Sequence, residues 1–171
     1  MAKLSVILGS TREQRMGERV ATWVMHYVST AELLDLKVID LPLYNEPKTP
    51  DELAGKYSSP VAQKWRDKIM ATDKIIFVTP EYNHSYPAAL KNAIDYMFND
   101  WKGKSYIIVS YSTGAYGGVR GAMQLRGLLD YIGLDCKGEI NIPLVDQVLT
   151  ADGVMSDKKL TSRLEKLVNT L

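Results

Sequence analysis

The sequence predicts an α/β protein: one parallel sheet of five strands with helices on both faces. Three observations carry that expectation. Short, mainly apolar runs of strand length recur along the chain. Stretches with apolar residues at helical spacing alternate with them. Loops of unusual composition follow the first, third and fourth runs. Leu4–Leu8 is the first buried strand and ends at Gly9. Val20, Trp23, Val24, Tyr27 and Val28 mark the first helix. Leu36 to Leu41 is expected to be the second strand. Pro42 to Pro60 holds four prolines and few apolar residues, so it is expected to be a long surface loop. Ser59-Pro60 opens the next helix, serine as cap and proline in the first turn, and Val61, Trp65, Ile69 and Met70 share one face.

Ile75-Ile76-Phe77-Val78 forms the core of the third strand. After the loop Pro80–Tyr86, Pro87 begins a helix that buries Leu90, Ala93, Ile94 and Met97. Ser105–Tyr111 is the fourth strand, and Ala122 to Ile132 carries the fourth helix. Gly138–Ile142 is weaker, and its polar Glu139 and Asn141 suit a sheet edge. Ser156 is positioned to cap a last helix with Leu160, Leu164, Leu167, Val168 and Leu171. No repeat or composition shift divides the chain, so residues 1–171 are expected to be one domain. In parallel sheets of this kind crossovers are right-handed. Ligands bind past the carboxyl ends of the strands, where strand order reverses.

Composition narrows the function. The chain has 171 residues, 46% hydrophobic and 24% charged, which is ample for a packed core. A net charge of +1 argues against a nucleic-acid protein and against an acidic carrier that docks by charge. Cys136 stands alone, so no internal disulfide forms, and His26 and His84 lack companions at metal-ligand spacing. No apolar run reaches transmembrane length and the N-terminus has no signal layout, so no membrane partner and a cytoplasmic location are expected.

The first unusual loop, Gly9-Ser10-Thr11-Arg12-Glu13-Gln14-Arg15-Met16-Gly17, joins a strand to a helix N-terminus. Free backbone N–H groups and the helix dipole favour an anion there. Ser10 and Thr11 add hydroxyls, and Arg12 and Arg15 add guanidinium groups suited to phosphate. It is neither a Walker loop nor a G-x-G-x-x-G fingerprint, which disfavours ATP and dinucleotides at this point. The alternative is an ordinary turn with two solvated arginines. The second loop, Thr79 to Pro87, combines a rigid backbone with Tyr82 and Asn83, as the edge and face of a flat heteroaromatic ring require. It also reads as a plain turn rich in proline and asparagine. His84 is either a proton donor or, with no acidic partner in view, a surface histidine. The third loop, Tyr111 to Gly118, brings three glycines and two hydroxyl residues; it suits either the far edge of a planar ring or a flexible connection.

Three blocks together resemble the NADPH-dependent FMN reductase family, which includes flavodoxin-like quinone, azo-dye and chromate reductases. They are Leu8-Gly9-Ser10-Thr11-Arg12, Pro80–Pro87 with Leu90-Lys91-Asn92-Ala93-Ile94-Asp95, and Gly114–Gly118. The resemblance implies a flavodoxin-like three-layer sandwich with strand order 2-1-3-4-5 and non-covalent FMN. It matches Ser10, Arg12, Arg15, Met16 and Gly17 to the phosphate loop. Pro80, Glu81, Tyr82 and Asn83 match the loop against the isoalloxazine, and Ser112, Thr113 and Gly114 the segment on its other side. It implies NADPH or NADH as electron donor and a small-molecule electron acceptor, with ping-pong hydride transfer and no catalytic side chain. Many members have glycine where this chain has His84. A homodimer or homotetramer is implied, with Met97, Phe98, Trp101 and Tyr131 either at the interface or in the core. Two other functions stay open: a flavodoxin-type electron carrier and a flavin-bound sensor or interaction protein.

Overall fold

A computed structural model describes residues 2–171. Its sheet is entirely parallel, in the order β2-β1-β3-β4-β5. The strands are β1 (Leu4–Leu8), β2 (Glu32–Asp35), β3 (Lys74–Pro80), β4 (Ser105–Tyr111) and β5 (Asp135–Ile142). The longer helices are α1 (Gly17–Tyr27), α4 (Pro60–Met70), α5 (Ala88–Asp95), α6 (Val119–Tyr131) and α8 (Lys158–Val168). Three single-turn helices, α2 (Leu36–Ile39), α3 (Pro50–Leu53) and α7 (Val145–Val148), complete the set.

Strand alternation builds two cores. Ile7, Ile75, Phe77, Tyr106 and Ile108 face one side and pack with Trp65 of α4, Leu90 of α5 and Leu125 of α6. Val6, Leu8, Ile76, Val78, Ile107 and Val109 face the other side and meet Val20 and Val24 of α1 and Leu164 of α8. The central strands are apolar on both faces because both are covered, as in other parallel sheets. Strand order reverses at β1, so the loops after β1, β3 and β4 meet at one end of the sheet.

Several expected elements differ. Leu36 to Leu41 is not the second strand; that strand is Glu32–Asp35, paired with Ser5–Leu8. The Asp35 carboxylate accepts from Lys37 N at 2.9 Å and so starts α2, and Asp40, at φ 51°, ends it. The apolar residues of that stretch therefore follow a helical turn, and Val38 points to solvent. The proline-rich segment is not all loop, because Thr49 and Glu52 form a capping box around α3. The cap of α8 is Asp157 rather than Ser156, accepting from Lys159 N at 2.8 Å. Pro87 caps α5 from outside, and the helix begins at Ala88. The last strand starts three residues before Gly138, at Asp135.

Of the four aromatic and apolar interface candidates, Trp101 and Met97 belong to the core. Trp101 lies 6.3 Å from Trp65 and 6.4 Å from Phe77, its indole donating to Ile94 O at 3.0 Å. Phe98 and Tyr131 are exposed and tilt together at 6.2 Å. Asn92 ties α5 to the proline-rich segment, accepting from Tyr44 N at 2.9 Å and donating to Pro42 O at 2.8 Å.

Candidate active site

The first loop leaves β1 at Gly9, whose N–H donates to Val78 O at 2.9 Å. Arg15 then folds back into the loop. Its guanidinium is buried, donating to the Ser10 carbonyl, to Asp35 Oδ1 at 2.9 Å and to Glu18 Oε1 at 3.0 Å. Burial opposes its charge, yet the bonds to Asp35 and Glu18 outweigh that and push its pKa upward. Arg15 thus holds the loop's shape, with its N–H groups already committed. Arg12 is exposed on the same loop, and no acid pairs with it among the described residues. None of the backbone N–H groups from Thr11 to Met16 finds a backbone acceptor among the described residues.

Ser10 is fully buried behind this loop, its Oγ 3.1 Å from the Tyr111 hydroxyl. Gly17 abuts both: a Cβ there would lie 2.5 Å from Ser10 Oγ and 2.5 Å from Tyr111 Oη. Only glycine lets α1 start this close to the end of β4. Burial pushes the Tyr111 phenol up, with Ser10 opposing, so it stays neutral and serves as a hydrogen-bonding strut.

The second loop is a two-residue hairpin. Tyr82 N donates to Ser85 O at 2.8 Å and Ser85 N returns to Tyr82 O at 3.0 Å. Asn83 and His84 occupy the left-handed region, at φ 50° and 62°, the pattern of a type I′ turn. Position 84 therefore carries a backbone conformation that favours glycine, and a histidine there is strained. Glu81 caps α6, accepting from Arg120 N at 3.0 Å and Gly121 N at 3.3 Å. The Tyr82 hydroxyl is buried with no hydrogen-bond partner among the described residues.

The third loop is clamped from below. Ser110 Oγ donates to Gly117 O at 2.7 Å and accepts from Asn141 Nδ2 at 2.8 Å. Ser112 Oγ donates to Gly114 O at 3.1 Å, and the same carbonyl accepts from Leu144 N at 3.2 Å. Gly117 sits at φ 60°, where a Cβ would lie 2.8 Å from the backbone of β5.

The three loops enclose a cavity of about 120 Å³. Arg12, Arg15 and Met16 line it from the first loop, Pro80, Glu81 and Tyr82 from the second, and Ser112 and Thr113 from the third. Ser10 and Gly17 lie behind this lining, Asn83 at the hairpin tip and Gly114 in the third loop. Tyr111 and Val145 join the lining without having been singled out as site residues. Tyr111 could have been found from its place at the carboxyl end of β4. Val145 carries no such signal, since it arrives from the far side of β5 after Leu144 turns the chain at φ 47°.

The NADPH-dependent FMN reductase model matches residues 2–140. The chain belongs to that family. An NAD(P)H-dependent FMN reductase of Schizosaccharomyces pombe is 36% identical over 135 residues, spanning 76% of this chain and 66% of that protein. A quinone reductase of Pseudomonas putida is 35% identical over 141 residues, spanning 78% of this chain and 72% of that one. The fold of FerB, a flavoenzyme NAD(P)H:(acceptor) oxidoreductase from Paracoccus denitrificans, covers 99% of this chain and 94% of its own at 26% identity, with a TM-score of 0.79. The fold is thus flavodoxin-like, and the family assigns it FMN and NAD(P)H-dependent oxidoreductase chemistry.

The residues present fit FMN. Unpaired backbone N–H groups and Arg12 suit a mononucleotide phosphate at the start of α1. Tyr82 lines the cavity, and its buried, partnerless hydroxyl suits a polar group of the ring system.

Proposed function

We propose that this chain is an NAD(P)H-dependent FMN oxidoreductase reducing quinones, azo compounds, free flavins or similar small acceptors. The observation that carries the reading is the meeting of three shaped loops at the strand-order reversal of a family member. When bound, FMN would supply the redox chemistry between nicotinamide donor and small-molecule acceptor. Every protein residue then has a binding or shaping role. The first loop holds the phosphate through its N–H groups and Arg12, while Arg15 and Asp35 hold the loop. Pro80, Tyr82 and Asn83 support one edge of the ring, and Ser112, Thr113 and Gly114 the other. Glu81 fixes the second loop to the start of α6. Donor and acceptor use the same open face in turn, which is ping-pong behaviour.

The test is a visible spectrum of the purified protein followed by mixing with NADPH. Flavin absorbance that falls promptly and returns on adding a quinone supports the reading. A flavin that NADPH and NADH both leave oxidised, and that only a separate reductase bleaches, makes the chain an electron carrier instead. Parallel lines in double-reciprocal plots support ping-pong order; intersecting lines overturn it.

The same reading takes residues 1–171 as one domain, supported by its single sheet, and places it in the cytoplasm. Among the described residues no helix is long and apolar enough to cross a membrane. It makes the active form a homodimer or homotetramer, supported by exposed Phe98 and Tyr131 beside a cavity of about 540 Å³. Sedimentation of the purified protein decides this, with a monomer at micromolar concentration as the refuting result.

A further inference from the structure

A second cation, the Arg120 guanidinium, stands by the cleft, near cavity-lining Glu81. Arg120 is in the first turn of α6, on the side of the second and third loops, whereas Arg12 belongs to the first. Its side chain is 45% exposed, and its guanidinium lies 5.1 Å from the centroid of the Tyr116 ring. Tyr116 is itself 69% exposed, on the third loop. The nearest carboxylate oxygen, Glu81 Oε1, is 3.9 Å away. The other oxygen of that carboxylate is held by the amides of Arg120 and Gly121. Arg120 is therefore weakly paired.

Stability does not explain the placement. A cation in the first turn of a helix opposes the helix dipole, and a half-exposed pair at nearly 4 Å contributes little. Stacking on Tyr116 does something else: it steadies the planar guanidinium over an exposed ring beside the third loop. Such a group suits a phosphate. The cleft's own phosphate position is at the other loop, already furnished by Arg12 and the amides of residues 11–16. The phosphate met at Arg120 then belongs to the second molecule that enters the cleft. We propose that Arg120, held on Tyr116, binds a phosphate group of the nicotinamide dinucleotide donor. This rests on the reading that NAD(P)H is the donor.

The experiment compares the FMN-loaded parent with Arg120→Gln and Arg120→Lys, using NADPH and NADH in turn and an uncharged benzoquinone as acceptor. In Arg120→Gln the donor KM rises about tenfold, the low end for a lost charge-assisted hydrogen bond, and the change lies in KM rather than kcat. Calorimetry shows NADP+ binding to the oxidised protein weakened by a similar factor. The quinone KM and the FMN dissociation constant hold, and Arg120→Lys recovers part of the donor affinity. A rise with both donors assigns the diphosphate bridge; a rise with NADPH alone assigns the 2′-phosphate. Either supports the inference. An unchanged donor KM and NADP+ affinity in Arg120→Gln, with a parent that turns over normally, overturns it alone. So does FMN loss in the same variant that accounts for the whole change. A parent that neither nucleotide reduces overturns the donor reading, and this inference with it.

Discussion

Replacing Asp35 with asparagine isolates the charge that shapes the first loop. Asp35 accepts two bonds from Arg15, at 2.9 Å from Nη1 and 2.5 Å from Nη2, and a third from Lys37 N at 2.9 Å. The side chains are 3% exposed for Arg15 and 17% for Asp35. Asparagine keeps the size and an oxygen that can still cap α2. It removes the negative charge facing a buried guanidinium. Breaking a buried pair costs about 3–5 kcal/mol. Glu18, 62% exposed, still pairs with Arg15 at 3.0 Å and compensates part of the loss, so a cost just below that range, about 2–3 kcal/mol, applies here. For a chain of this size that lowers Tm by roughly 4–12 °C. Arg15 also holds the Ser10 carbonyl, so the loosened loop binds FMN more weakly. Thermal unfolding of the FMN-free protein followed by circular dichroism, and a fluorescence titration with FMN, read the two effects. A Tm within about 1 °C of the parent, together with unchanged FMN affinity, would refute the view that this pair builds the phosphate loop.

Arg12→Ala removes the exposed guanidinium from the same loop. A charge-assisted bond of about 1.5–3 kcal/mol makes the expected rise in FMN dissociation constant roughly tenfold to a hundredfold, with Tm of the FMN-free protein unchanged. His84→Gly relieves a left-handed non-glycine residue at φ 62°. Relief of about 1–2 kcal/mol, less the extra freedom glycine has when unfolded, should stabilise the chain by about 0.5–1 kcal/mol in urea unfolding. The Tyr57 phenol, donating to Tyr96 O, is pushed up to about 12 by burial first and nearby Asp100 second. Its unfolded form ionises near 10. The folded state therefore keeps a proton that the unfolded state releases, and stability present below about pH 10 is lost as pH rises toward 12. In Tyr57→Phe that alkaline fall in the urea midpoint should be shallower; an identical fall in both proteins would count against it.

Short apolar runs bounded by turn residues made the fold legible where both faces of a strand are buried. Leu4–Leu8, Lys74–Pro80 and Ser105–Tyr111 are such strands, and their apolar runs have no competing reading at that length. The same signal misled at the sheet edge. Leu36 to Leu41 looks like a strand because it is a short, mainly apolar run, but a capping carboxylate at Asp35 settles the backbone as a turn of helix. Capping competes locally with strand pairing, and only the paired register shows which wins.

By itself, the sequence determined that three loops rich in glycine, hydroxyl, arginine and aromatic residues follow strands of one parallel sheet. That follows from element order, since βαβ units bring those loops to a common end. Tertiary structure decided what each residue in them is free to do. Arg12 and Arg15 are alike in sequence, yet Arg15 is committed to Asp35, Glu18 and the Ser10 carbonyl while Arg12 stays open. Glu81, within the ring-binding block, spends its carboxylate on the amides of α6. Tyr111 and Val145 enter the cavity from β4 and from beyond β5. Which donor meets which acceptor depends on residues 20 to 101 positions apart in the chain, as with Arg15 and Asp35 or Ser10 and Tyr111. Hydrogen bonds are short-ranged and directional, so such pairings are set by how the layers pack and not by any local pattern.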